Sequence, residues 1–257
     1  MTICRLGGRI VKDKMHQVIK KVIIIATLMV IALDVQAQAV TNKILPIYCV
    51  NTNGKKLAAL SFDAAWGADD TNQLLDTLKK YNVKATFFLV GDWVRKYPEE
   101  VKRIAAEGHD IGNHSNKHPH MAKMTKEQIK DDVMKAHREV KTLIGKDMNL
   151  FRAPYGEYNN TVMQALKECN YYVIQWDIDS LDWKEYGKEE LVKRVVGNKN
   201  LKPGSIILMH NNAKYTKDAL DSIIKGLIDK GYTLVPISSL IIKEDYTIDH
   251  EGRQHAK

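Results

Sequence analysis

Cysteine is scarce, with three in 257 residues, and bears little on the fold. Cys4 lies near the start. Cys49 and Cys169 are far apart; they can pair in an oxidising compartment, but they read first as two unpaired thiols packing as small hydrophobes. Aromatic residues make up 7% of the chain, and no Lys/Arg run is interleaved with them. Nucleic acid is therefore the weakest of the acidic partners that a net charge of +8 would suit; anionic lipid or an anionic wall polymer fits better. No apolar run reaches the roughly 20 residues of a membrane span. There is no internal repeat, no low-complexity linker and no coiled-coil seam, so one domain and a monomer are expected. The 44% hydrophobic content is enough for a substantial core.

The first 39 residues stand apart. Lys12, Lys14, Lys20 and Lys21 precede an apolar run from Val22 to Leu33, followed by the small-residue pattern Ala37-Gln38-Ala39. A basic start, a short apolar centre and an A-x-A end describe a secretory signal peptide or a retained N-terminal anchor, and Met15 offers a second start. The expectation is a protein secreted, or anchored on the outer side of the cytoplasmic membrane. Residues 40–242 would form the domain, and 243–257 a frayed polar tail.

From Val40 onward strand-like and helix-like segments alternate. Strands are expected at 44–50, 57–62, 85–90, 171–176, 205–209 and 233–235, with short pieces at Ile111 and Leu150-Phe151. Helices are expected at 71–81 with Asp70 as N-cap, and at 93–107 ended by Gly108. Further helices follow: one from Thr125 to Gly145 with Glu127 and Gln128 in its first turn, then 161–168, 189–196 and 218–230. Alternation argues for parallel βαβ units, and about seven of them in one domain give an α/β fold, a single distorted (β/α) barrel. Active-site groups of such barrels sit at the C-terminal strand ends. Asp63, His114, Arg152, Asp179 and His210 each follow an apolar strand-like segment. His114 and His118, four residues apart, are candidate metal ligands; a polar surface loop containing histidines is the plainer alternative. Trp66, Trp93 and Tyr158 could stack on rings of a ligand, but aromatic residues are more often core, and packing is the first reading for them.

Five motifs in order carry a resemblance to a family. They are Ser61-Phe62-Asp63-Ala64, the run from His114 to His118, Arg152-Ala153-Pro154-Tyr155, the run Asp179 to Trp183, and Ile207-Leu208-Met209-His210. Together they resemble the polysaccharide deacetylases of the NodB-homology type, carbohydrate esterase family four, over roughly 55–240. Within that family they are most similar to the sporulation-associated, PdaB-like branch. The resemblance implies an N-deacetylase of amino-sugar polymers, peptidoglycan above all, with a divalent metal, zinc or cobalt, on His114 and His118. It implies Asp63 as general base, Arg152 as its partner and His210 as the acid, with Asp179 or Asp182 orienting that imidazole. Tyr155 would give a backbone N–H to the oxyanion, and Trp183 and Leu208 would line the acetyl pocket. Asn211 and Asn212 are weaker candidates for substrate contact.

One position departs from the family pattern. The second aspartate of its T/S-F-D-D motif is a metal ligand, and this chain has Ala64 there. The metal is therefore expected to bind weakly or to need another group. Asp69 and Asp70 are nearby, but helix capping is the first reading for Asp70. Two functions follow: a deacetylase of exported glycan, or a catalytically weak or inactive glycan-binding factor.

Overall fold

The computed structural model describes residues 43–257, together with Met15, Lys20, Lys21 and Ile23, which are helical. The signal segment expected over 1–39 otherwise lies outside the described residues. Among the described residues no helix is long and apolar enough to cross a membrane.

The strands are β1 (Cys49–Val50), β2 (Leu57–Ala64), β3 (Thr86–Leu89), β4 (Asp110–Asn113), β5 (Leu150–Phe151), β6 (Tyr172–Val173), β7 (Ile178–Asp179), β8 (Ser205–His210), β9 (Thr233–Leu234), β10 (Tyr246–Ile248) and β11 (Arg253–Ala256). Within residues 43–257 the α-helices are α1 (Thr71–Lys80), α2 (Gly91–Lys96), α3 (Pro98–Ala106), α4 (Lys126–Ile144), α5 (Asn160–Glu168), α6 (Lys188–Val196), α7 (Thr216–Asp229) and α8 (Ile237–Leu240). Seven strands run parallel in the spatial order β7-β8-β2-β3-β4-β5-β6, as the alternation predicts.

The period of two along each strand separates two environments. Ala58, Leu60, Phe62 and Ala64 of β2 pack into the core shared with the surrounding helices, with Leu74, Leu75 and Ile223 among their companions. Ala59 belongs instead to a second cluster with Phe88, Leu150, Ile174 and Ile206. Ser61 and Asp63 share its face of the strand. Neighbouring registers set Asp63 beside Phe88 on one flank and beside His210 on the other. Two groups far apart in sequence are thus level at the C-terminal end of adjacent strands.

Helix boundaries follow local chemistry. Thr125 and Gln128 form a reciprocal capping box at the start of α4, and Gly145 ends it at φ 69. The single helix expected over 93–107 is two. Pro98 opens α3 and holds Tyr97 at φ −130, outside the helical region. The expected strand 171–176 is also interrupted: Ile174 bridges to Ile47, and the chain then reaches the separate β7.

The C-terminal tail is not frayed. β10 and β11 form an antiparallel hairpin, and β11 runs parallel beside β1. Gln254 is fully buried and bonds both ways to the backbone of Ile242. Its strand reads Arg-Gln-His-Ala, with no apolar alternation to announce it.

Candidate functional site

A cavity of about 570 Å³ opens at the C-terminal strand ends, lined among others by Asp63, His114, His118, Asp179, Leu208 and His210. Trp66, Tyr155 and Trp183 stand exposed around it, at 64, 55 and 58%. The five strand-end residues predicted from sequence are thus brought together, though Arg152 lies beneath the floor rather than on it.

Arg152 has no solvent exposure. Its Nη1 donates to Asp63 Oδ1 at 2.7 Å, and Nη2 donates to Ser61 Oγ at 2.9 Å and to the Gln175 carbonyl at 3.2 Å. The guanidinium lies 4.2 Å from the Phe88 ring centre. Burial alone would raise the Asp63 pKa; the Arg152 charge, with a lesser part from His210, outweighs it and holds the carboxylate below its usual range. Sequence reasoning found this pair but not Ser61 or Gln175. The two-residue spacing from Asp63 was the signal for Ser61, since i and i+2 share a strand face.

His114 and His118 do converge, with ring centres 4.9 Å apart. His114 Nδ1 lies 2.8 Å from the Arg152 carbonyl, which can only accept, so Nδ1 carries the proton and Nε2 keeps its lone pair. That Nε2 faces Asp63 Oδ2 at 3.5 Å. Burial lowers the pKa of His114, and takes His118 down to about 4, so both rings are neutral at physiological pH. Neutral nitrogens suit a metal, but two do not complete the family's set. Among the described residues no group of three His, Cys, Asp or Glu is arranged to hold one. Ala64 packs in the helix-side core, and its neighbour Ala65 lines the cavity. Asp70, the nearby carboxylate, turns elsewhere: its Oδ2 accepts the Asn212 N–H at 2.8 Å. It also makes no side-chain cap on α1, contrary to the sequence expectation. The residues present therefore do not fit a three-ligand metal centre.

This geometry carries a prediction. Ala64→Asp should lower the melting temperature of the metal-free protein, because it places a carboxylate in apolar packing. Zinc should then recover the loss and bind by calorimetry at least about 10-fold tighter than to the wild type. An unchanged zinc affinity would show that the new carboxylate does not reach the two histidines.

His210 is held by Asp182, not by Asp179. Asp182 Oδ1 lies 2.7 Å from His210 Nδ1, while Oδ2 accepts the His210 backbone N–H and the Thr216 hydroxyl. Asp179 uses Oδ1 to accept the Leu181 N–H at 2.9 Å and is a turn former on the cavity wall. Burial pulls the His210 pKa down, but the Asp182 hydrogen bond and charge pull harder, and the net direction is upward. His210 therefore stays protonated above its ordinary 6.5. With a raised folded pKa, this pair's stabilisation is complete below 6.5 and is lost as pH rises through the higher folded value. Asp182→Asn leaves the burial uncompensated. The alkaline limb of any activity that needs the imidazolium should move to lower pH in that variant, as a pH–rate profile would read; an unmoved limb would rule out His210 as its origin.

Tyr155 sits at φ 59 in the turn Pro154–Gly156. That is a sparsely populated conformation for a residue with a side chain, and such residues cluster at functional sites. Its ring stacks on His120 at 4.4 Å and meets His118 edge-on at 4.5 Å. Trp66, assigned to packing from the sequence, is mostly exposed, with its ring 5.2 Å from His118. Trp93 is core, and Tyr158 shares a 3.2 Å hydroxyl contact with Tyr48. Asn211 and Asn212 line the cavity, and Asn211 Nδ2 donates to the Gly67 carbonyl. Leu208 and Trp183 lie on its wall as expected.

Comparison with known proteins gives concordant results. The polysaccharide deacetylase family model matches residues 50–174. A peptidoglycan-N-acetylglucosamine deacetylase of Bacillus cereus is 38% identical over 190 residues, covering 72% of this chain and 68% of that one. The peptidoglycan-N-acetylmuramic acid deacetylase PdaA of Bacillus subtilis is 34% identical over 214 residues, covering 82% and 80%. Among solved structures, a CE4 family pseudoenzyme from Bacillus anthracis superposes with a TM-score of 0.73 at 33% identity, over 77% of this chain and 69% of that one.

Proposed function

The chain belongs to the polysaccharide deacetylase family, and we propose that it hydrolyses acetamido groups of an N-acetylated amino-sugar polymer, with peptidoglycan as the substrate. The observation that carries this reading is the facing pair Asp63 and His210, each held by its own buried partner. Amide hydrolysis needs a base for water and an acid for the departing amine. Asp63, kept ionised by Arg152, takes the proton of a water in the cavity. His210, kept protonated by Asp182, gives its proton to the leaving nitrogen from the adjacent strand. Leu208 and Trp183 receive the acetyl methyl, and the Tyr155 backbone N–H is the donor for the developing oxyanion. Trp66 and Trp183 at the rim offer apolar faces to sugar rings. We assign the N-terminal segment to export, the +8 charge to an anionic wall, and the setting to sporulation or other cell-wall modification.

Ala64 favours a second reading, a weak or inactive glycan-binding factor, and the likeness to a pseudoenzyme supports it. An active acid–base set is no requirement for binding, so the deacetylase reading stands first. Acetate release decides between them, measured with the purified protein on peptidoglycan fragments and N-acetylglucosamine oligomers, with and without zinc or cobalt. Release is expected, and its stimulation by metal would show that two histidines suffice. Glycan binding without release would establish the second reading.

A further inference from the structure

We propose that Tyr171 and His137 are positioning residues for the histidine loop 114–118, acting through the side-chain amide of Asn113. The proposal rests on the assignment of that loop to the active site. Asn113 is the last residue of β4 and is fully buried. Its Oδ1 accepts the Ser115 N–H at 2.9 Å, and its Nδ2 donates to the Val133 carbonyl of α4 at 2.9 Å. These two backbone partners fix which end of the amide is oxygen. Nδ2 has a second hydrogen, and it goes to the Tyr171 hydroxyl at 3.0 Å.

The hydroxyl accepts there, so its own hydrogen must find another acceptor. His137 Nδ1 is that acceptor, at 2.6 Å. His137 Nε2 then carries the ring proton and donates to Asp147 Oδ1 at 2.8 Å, a carboxylate that also binds Lys141. Every hydrogen in the series points outward, from Ser115 through Asn113, Tyr171 and His137 to the surface carboxylate. Each group has one role open to it, which makes the chain directional.

The inner end of the series meets unusual backbone. Ser115 has φ 73 and His118 φ 55, both in the left-handed region that side chains seldom occupy. Asn113 holds the Ser115 N–H, and Ser115 Oγ in turn accepts the His118 N–H at 2.9 Å. Other ties grip the loop differently: the N–H groups of Gly91 and Asp92 bind the carbonyls of Ser115 and Asn116, and Asp132 binds the Asn116 N–H. None of these touches the Ser115 or His118 N–H. The His114 ring has its own tie to the Arg152 carbonyl, so it is the Ser115–His118 backbone, and with it the placement of the His118 imidazole, that depends on the Asn113 amide, to which the Tyr171 hydroxyl adds a third anchor.

The test uses Tyr171→Phe, His137→Leu and His137→Asn in the full-length protein. The Asn variant keeps an acceptor near the position of Nδ1. Amide hydrogen exchange at Ser115 and His118 should quicken about 10-fold or more in the Phe and Leu variants, as the loss of a buried partner implies, and return toward wild type in the Asn variant. Exchange at Ile129 and Val133 in α4 should not change. In acetate release the Phe variant should lose about 10-fold in kcat with KM within about 2-fold, the pattern of disturbed geometry. Unchanged exchange at Ser115 and His118, or an equal rise throughout α4, would overturn the proposal. Should the wild type release no acetate, the exchange data still judge the positioning role, and only the deacetylase reading fails.

Discussion

Arg152→Met should cost about 3–5 kcal/mol of folding stability, the typical result of removing one partner from a buried ion pair. The size follows from what remains. Asp63 is 6% exposed, and methionine offers it no donor. Ser61 Oγ and the Gln175 carbonyl lose their bonds from Nη2 at the same time, although Ser61 keeps its own donation to the Ile207 carbonyl at 2.7 Å. Urea denaturation would read the change as a lower midpoint at an unchanged slope. The sign of its pH dependence is also set. Asp63 has a folded pKa below its unfolded value, so the pair stabilises above 3.8 and the contribution is lost as pH falls through the folded value. The wild type should thus lose stability in acid more steeply than Arg152→Met. Adding Asp63→Leu to Arg152→Met should recover most of the loss while leaving no turnover, because an apolar pair in a buried site is close to neutral. A loss below about 1 kcal/mol in the single variant would mean that water reaches and solvates the carboxylate.

Asp63→Asn should lower turnover by about 10²- to 10⁴-fold, the usual contribution of a general base. This variant separates chemistry from folding better than any apolar one. The amide oxygen can still accept from Arg152 Nη1, and the amide nitrogen would face His114 Nε2, which has a free lone pair at 3.5 Å from the present oxygen. The fold should therefore persist, at a lower melting temperature because the buried Arg152 charge loses its counter-charge, and a cooperative thermal transition would show it. Acetate release measured beside that melt gives the answer. Turnover equal to wild type would remove Asp63 as the base and leave the water to be activated by another group.

The reasons some of this was legible in the sequence differ from element to element. Asp63, His114, Arg152 and His210 could be read because each lies at or just past the C-terminal end of a short strand, and parallel strands bring those ends to one face. The Thr125 and Gly145 boundaries of α4 could be read because capping is local chemistry. The choice between Asp179 and Asp182 could not. Both follow the same strand, and what separates them is a 3-10 turn opened by Leu181 at φ 52, which sends one carboxylate to a backbone N–H and the other across to β8. Trp66 misled because exposure depends on which way the chain leaves β2. Tyr171 and His137 read as an aromatic at a strand start and a polar position on a helix; only the fold aligns them behind β4. The β10–β11 hairpin was hidden because an edge strand of polar residues carries no pattern.

That hairpin bears on the order in which the molecule can assemble. β1 is the first strand of the domain, and its neighbours are β8 and β11, drawn from residues 205 and 253–254. Contacts of such long sequence separation form late and slowly, since the intervening loop entropy must be met before they reward it. β1 therefore waits first on β8 and then on β11, while β2 to β6 pair each with the next along the chain. The edge built on β1 is thus a part of the sheet that sets late in folding, after the neighbouring parallel strands have formed a template for it.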